Sequence, residues 1–325
     1  MEKIKIGKVS LDGSLILAPM SGVTNLPFRL LCKKYGAALV FSEMASSEAI
    51  IRLNENSITR LLSCTEERPL GIQLMGSSAD NLVRSALFVQ EKYNPDIIDV
   101  NLGCPAQEII KNGCGSALLK KPGLIRDIIS GLSGSINVPL TAKMRILDNY
   151  DDSLKIARTI EKAGADALIV HGRTQKQQYS GKSNIEFIKK IKKELSIPVL
   201  ANGDIVDELS ARNVLEYTGC DGLMIGRAAM GNPYIFRRIS YYLDEGNFPS
   251  PRVNGQLDDF FEYAALCQKY DMLAYSDLKL NAQWFTKCRE NIKQVRIKIN
   301  LAKDINSIME IMGKLRNEEC VRGKE

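Results

Sequence analysis

Eight short apolar or β-branched runs in this chain end on residues that can meet a ligand: Pro19-Met20, Glu43, Gln73, Asn101, Lys143, His171, Asn202 and Gly226-Arg227. One polar residue after an apolar run means little, because strands end in polar loops. Most of eight runs ending this way is hard to obtain from loop composition alone. Lys143 closes an otherwise apolar run, and a lysine there is costly to bury unless it faces an anion or a carbonyl. Such a lysine can stabilise negative charge on a bound ring or form a Schiff base. A lone histidine is more often a satisfied core residue, but the position of His171 at a run end favours contact with a phosphate, a ring edge or a carbonyl. Asn202-Gly203-Asp204 and Gly226-Arg227 have the composition of phosphate-holding loops, with glycine for close backbone approach and an arginine for charge. Asp204 can equally serve as a cap for a helix starting near Asp207. Cys104 lies in Asn101-Leu102-Gly103-Cys104-Pro105, a tight turn after the fourth run. A thiol is mostly protonated at neutral pH, so it can donate a proton as well as attack.

The elements that position these residues are legible from periodicity. The runs Leu15 to Pro19, Ala37 to Glu43, Pro69 to Leu74, Ile97 to Asn101, Pro139 to Met144, Ala167 to His171, Pro198 to Asn202 and Gly222 to Gly226 are candidate strands. Helix-length segments with 3.6-residue apolar spacing separate most of them, for example Asp151 to Ala163, stopped by Gly164, and Asn184 to Leu195, stopped by an Ile-Pro step. Strands alternating with helices imply parallel pairing. Eight such units over roughly 220 residues predict a closed (β/α)8 TIM barrel, whose strand carboxyl ends would bring the polar residues into one pocket. An open doubly wound sheet is the weaker alternative, since no Gly-x-Gly-x-x-Gly follows the first strand.

Beyond Tyr241 the pattern changes. A stretch with two prolines and two glycines predicts a linker over 244–255, between a barrel spanning 1–243 and a small all-helical domain over 256–325. Within that domain Lys279, Lys287, Arg289, Lys293, Arg296, Lys298 and Lys303 stand against a single acid, Glu290. Such a run is ordinarily a solvated helix face, and otherwise a surface for phosphate backbone. Helical spacing alone places Trp284 and Phe285 in the core.

Composition excludes several classes. At 325 residues, 45% hydrophobic and 25% charged, the chain has the make-up of a globular protein. No apolar run approaches the roughly 18 residues of a membrane span, and Asp12 and Gly13 interrupt any signal-peptide core, so a cytoplasmic protein is expected. The eight cysteines form no Cys-x-x-Cys pair and there is one histidine, so neither disulfides nor a zinc site is expected. Cys32, Cys64, Cys114, Cys220, Cys267, Cys288 and Cys320 are left without a role. A net charge of +6 permits an anionic partner without requiring one.

Taken together, several stretches resemble the dihydrouridine synthase family, which reduces uridines in transfer RNA with FMN and NADPH. They are residues 18–25 (Ala-Pro-Met-Ser-Gly-Val-Thr-Asn), Ser42-Glu43-Met44, 101–105, 115–119, His171-Gly172-Arg173-Thr174 with Tyr179-Ser180-Gly181, Asn202-Gly203-Asp204, and 224–229. The resemblance runs from Leu15 to Ile239 in order. It implies FMN held by Pro19, Met20, Ser21, Gln73, Lys143, His171, Asn202, Gly203, Asp204, Gly226 and Arg227. It implies Cys104 as the proton donor to C5 of uracil, after hydride transfer from flavin N5 to C6. It also favours RNA contacts from Asn101 and Arg173 near the pocket and from Lys279, Lys287, Arg289 and Lys293 in the helical domain. A base inside folded RNA must be extruded to reach such a pocket. The chain departs from the family ahead of Trp284-Phe285, where members often carry a basic pair and a histidine. Here Lys279-Leu280-Asn281-Ala282-Gln283 has one base and no histidine. Two other readings remain: a related flavin barrel acting on a free pyrimidine such as dihydroorotate, and an RNA-binding flavoprotein without turnover.

Overall fold

Leucine, isoleucine and valine dominate the eight predicted runs, and in the computed structural model all eight form strands of one parallel sheet. The structure describes residues 3–250, 252, 255–287 and 292–322. An antiparallel hairpin comes first, β1 (Ile4–Ile6) and β2 (Val9–Leu11). The sheet then comprises β3 (Leu15–Leu17), β4 (Val40–Phe41), β5 (Ala45–Ser46), β6 (Leu70–Met75), β7 (Ile97–Leu102), β8 (Leu140–Arg145), β9 (Ala167–His171), β10 (Val199–Asn202) and β11 (Gly222–Ile225). The strands pair in the order β3-β11-β10-β9-β8-β7-β6-β4. Leu17 N donates to Leu39 O at 2.9 Å and Ala38 N to Leu15 O at 2.8 Å, which joins β3 to the segment leading into β4 and closes the barrel.

The hairpin was not anticipated from the sequence, because three-residue strands leave too short a pattern. Its Ile4, Ile6 and Leu11 pack into the barrel's interior cluster with Ile16, Phe41, Ile169, Leu200 and Met224. It plugs the amino-terminal end: a Cβ on Gly222, the first residue of β11, would meet Ile4 Cδ1 at 2.5 Å. The predicted run over Ala37 to Glu43 is also interrupted. Ser42 N still donates to Gly71 O at 2.9 Å, but the ladder breaks beyond it: the Ser42 hydroxyl accepts from Gln73 N at 3.3 Å and donates to Glu43 O at 2.8 Å. Pairing with β6 resumes at β5.

The outer faces of the strands pack against the helices, including Tyr150–Lys162 and Ile185–Glu194 over the predicted stretches. Gly164 follows the first at φ +102°, the left-handed conformation that ends a helix. After the last barrel helix, Ile235–Glu245, come Gly255–Lys269, Tyr275–Phe285, Ile292–Leu301 and Ile305–Arg322. Among the described residues no strand follows β11. These helices share the barrel's outer apolar cluster through Phe260, Tyr263, Leu278 and Phe285. Polar contacts add direction: Asn25 Nδ2 donates to the Tyr263 hydroxyl at 2.9 Å, and the Tyr35 hydroxyl donates to Asp259. The closest approach is at Gly231, where φ is +69° and a Cβ would lie 2.2 Å from the carbonyl carbon and oxygen of Trp284.

Gly231→Ala is therefore expected to push the helix Tyr275–Phe285 away from the barrel and to cost about 1–3 kcal/mol. Urea unfolding would measure it, and wild-type stability in the variant would show that the approach is not tight.

Candidate active site

The carboxyl ends of the barrel strands surround one cavity of about 570 Å³, within the usual size range of ligand pockets. Pro19, Met20 and Ser21 after β3, Gln73 on β6, and Asn101 and Cys104 from β7 all line it. So do Lys143 of β8, His171 and Arg173 from β9, Asn202, Gly203 and Asp204 from β10, and Gly226 and Arg227 after β11. Glu43 does not; its carboxylate accepts from Gly22 N at 2.6 Å and holds the loop after β3.

Hydrogen bonds fix the thiol-bearing turn. Asn101 Oδ1 accepts from Cys104 N at 2.9 Å and from Gly103 N at 3.1 Å. The Asn101 amide nitrogen donates to Gln73 Oε1 at 2.7 Å. Ser116 binds the other side of the turn, its N and Oγ donating to Cys104 O at 3.1 and 2.8 Å. Asn101, expected to contact RNA, is thus foremost an organiser of the turn.

The cavity is cationic. Lys143, Arg145, Arg173 and Arg227 line it against a single carboxylate, Asp204. Among the described residues Lys143 has no hydrogen-bond or ion-pair partner, and burial, followed by Arg145, lowers its pKa to about 8. Burial first, and then the four cations, push His171 far below the usual histidine range, so its imidazole is neutral. Gly203, at φ +112°, lets its backbone lie against that ring: a Cβ there would sit 2.8 Å from His171 Cδ2.

Arg173 has partners within the protein, and the expected cap at Asp204 needs correcting. Arg173 is buried and already engaged, donating to Asp204 Oδ1 at 2.6 Å, Gly181 O at 2.7 Å and Ser180 O at 3.1 Å. It braces the loop over 172–181 rather than offering a free cation at the pocket mouth. Asp204 does not cap the next helix. Asp207 does so, in a reciprocal capping pair with Ser210, while Asp204 binds Arg173 and Ser183 N.

In the helical region Lys279 is also turned inward, donating to Asn300 O at 2.7 Å and the Tyr275 hydroxyl at 2.9 Å. The first acceptor lies at the end of the helix Ile292–Leu301 and the second at the start of Tyr275–Phe285, so Lys279 ties these two helices together. Lys287 and Lys293 are exposed, whereas Arg289 lies outside the described residues. Phe285 is in the core as expected; Trp284 is not, and with Leu280 it lines the cavity.

Sequence reasoning missed Arg145. Its guanidinium donates to Gly103 O at 2.9 Å, Thr174 O at 3.0 Å and Gln178 O at 2.8 Å, tying the thiol turn to the loop after β9. The signal was available, since strand alternation puts Arg145 on the same face as Lys143. No group of three histidine, cysteine or acidic residues among the described residues is placed to hold a metal.

A closed parallel barrel with a cationic pocket and a cysteine at its carboxyl mouth defines a class of β/α-barrel enzyme. The old yellow enzyme homologue from Zymomonas mobilis shares this fold, with a TM-score of 0.55 at 12% identity, covering 78% of this chain and 95% of that one. A family model described as dihydrouridine synthase matches residues 16–321. The tRNA-dihydrouridine synthase B of Pseudomonas putida is 37% identical over 311 residues, 94% of this chain and 91% of the relative. That of Proteus vulgaris is 42% identical over 254 residues, 76% of this chain and 77% of the relative. The chain belongs to the dihydrouridine synthase family.

Since His171 is the only histidine in the chain, its ring resonances are unambiguous. They are expected not to titrate between pH 8 and pH 5 in the folded protein. A midpoint near the ordinary value of about 6.5 would show that the ring is not held neutral.

Proposed function

We propose that this protein is a tRNA-dihydrouridine synthase that reduces the C5=C6 bond of uridine in tRNA, using FMN in the barrel mouth and Cys104 as proton donor. The observation that carries the assignment is the cavity itself, in which a thiol turn, an unpartnered lysine, a neutral imidazole and a glycine-bearing cationic loop pair converge. That set fits FMN. Gly203, Gly226 and Arg227 supply amides and charge suited to a phosphate, and Lys143 supplies a buried cation suited to an electron-rich ring. Pro19, Met20, Ser21, Gln73, His171, Asn202 and Asp204 complete the proposed FMN contacts. NADPH is the reductant, an assignment that rests on the family resemblance, as does a place in the cytoplasm. No helix among the described residues is long and apolar enough to cross a membrane.

FMN, when bound and reduced, would supply the hydride that C6 of the uracil takes up. The resulting enolate must be protonated at C5, and the Cys104 thiol, facing the cavity from its fixed turn, is the donor. Extruding the base costs on the order of a few kcal/mol, which contacts elsewhere on the RNA must offset. The helical unit, proposed to span 256–325 beyond a linker at 244–255 and the 1–243 barrel, supplies them. On the helix Ile292–Leu301, Val295 and Ile299 are buried while Lys293, Arg296 and Lys298 face solvent.

Cys104→Ala is expected to retain FMN and tRNA binding while dihydrouridine formation falls by about 10²–10⁴-fold, measured by mass spectrometry of digested tRNA. Undiminished turnover would remove the thiol from the mechanism. Reversing Lys287 and Lys293 to glutamate should weaken tRNA binding and lower the slope of log affinity against log salt by about 0.7–0.9 for each phosphate no longer neutralised. An unchanged slope would make these residues a solvated face only.

A further inference from the structure

We infer that Asp99 is a positioning residue: its buried carboxylate fixes the direction of a chain of side-chain amides, through Gln73 and Asn101, that holds the Cys104 turn in its reactive geometry. Strand register creates the chain. Gln73 of β6 pairs with Asp99 of β7, and Asp99 pairs with Thr141 of β8, so the three lie side by side across neighbouring strands. Asp99 is 1% exposed and is not part of the cavity lining, so it acts only through its neighbours. Its Oδ1 accepts from Thr141 Oγ1 at 2.6 Å and its Oδ2 from Gln73 Nε2 at 2.7 Å.

An ionised carboxylate can only accept, whereas an amide can be turned end for end at almost no cost in shape. The anchor therefore forces the Gln73 NH2 group toward Asp99 and its oxygen toward Asn101. Asn101 must then present its NH2 group to Gln73, at 2.7 Å, and its oxygen to the N–H groups of Gly103 and Cys104. With Gln73 reversed, its NH2 group would face that of Asn101 and its oxygen would face the Asp99 carboxylate; with Asn101 reversed, its NH2 group would face the N–H groups of Gly103 and Cys104 and the turn would lose both bonds. Burial pushes Asp99 up to about 6, opposed by the donors Thr141 and Gln73 and by the charge of Lys143. The anchor is thus ionised at neutral pH and weakened by mild acid.

The inference rests on Cys104 as the proton donor. It is tested on the FMN-loaded enzyme by rapid mixing without oxygen, which separates reduction of the flavin by NADPH from its reoxidation by unmodified tRNA. In Asp99→Asn, reoxidation is expected to slow by about 10²-fold, the usual effect of a misplaced reacting group, while reduction changes no more than about threefold. Flavin content and tRNA affinity should stay at wild-type values, and alkylation of Cys104 by iodoacetamide should accelerate. Equal slowing of both half-reactions, or unaltered reoxidation, would overturn the inference.

Thr141→Val provides a test that keeps the amide chain intact. Losing one donor raises the Asp99 pKa further, so the acid-side loss of reoxidation should move to higher pH. The groups facing Asp99 are Thr141 and Lys143 on β8 and Gln73 on β6. Lys143, with its pKa near 8, stays protonated through that window. An unmoved acid limb counts against the inference. Cys104→Ala, run in parallel, separates the two claims. If it reoxidises slowly while Asp99→Asn does not, only the Asp99 inference falls; if it reoxidises normally, the proton-donor assignment falls and takes this inference with it.

Discussion

Crowded positive charge at the end of a closed barrel is the constraint from which the rest of this site follows. Lys143, Arg145, Arg173 and Arg227 line one cavity with Asp204 as the sole carboxylate, in surroundings that screen charge far less than water does. Like charges in such a place stay ionised only if something accepts their hydrogen bonds. Arg173 has Asp204 and two carbonyls, and Arg145 has three carbonyls. Lys143 has none of these among the described residues, and its pKa is lowered by burial and then by Arg145. Burial and then the surrounding cations keep His171 neutral. Among the described residues lining the cavity, four cationic side chains thus stand against one carboxylate.

The arginines also bring order. By reaching Gly103 in one loop and Thr174 and Gln178 in another, Arg145 makes two loops from different strands move as one unit. Arg173 does the same for the 172–181 loop and Asp204. Loops are ordinarily the mobile parts of a barrel. Here the requirement to solvate buried guanidinium groups with backbone carbonyls ties the loops to one another around the thiol.

Much of this was legible in the sequence, and the rest failed for identifiable reasons. The eight strands and their polar ends could be read because parallel buried strands are nearly continuous apolar runs, and a chemistry-bearing residue at the end of one stands out. Asp99 was passed over since it lies inside the run of β7, where a charged residue reads as an interruption of the pattern, and Arg145 since it falls one residue beyond the predicted run ending at Met144 and is the last residue of β8. The hairpin β1–β2 was too short to register. Lys279 and Arg173 looked like available cations because sequence shows charge but not the carbonyls that a folded chain brings to it. Trp284 was placed in the core by helical spacing, which reports the face a helix buries but not that the same face also borders a cavity.

That last misplacement bears on how the barrel and the helices work together. Leu280 and Trp284 form part of the cavity wall although they belong to the helix Tyr275–Phe285, and the carbonyl of Trp284 rests against Gly231 just beyond β11. Asn281, between them, is buried and donates to the Tyr263 hydroxyl, which in turn accepts from Asn25 at the start of the first barrel helix. The stretch ahead of Phe285 is therefore occupied by residues that lock the two parts together. Lys279 is drawn into the same packing. The exposed basic face lies further along the chain, at Lys293, Arg296 and Lys298. Pocket wall and helix packing therefore share one junction, with Leu280 and Trp284 facing the cavity and Asn281 between them bound to Tyr263.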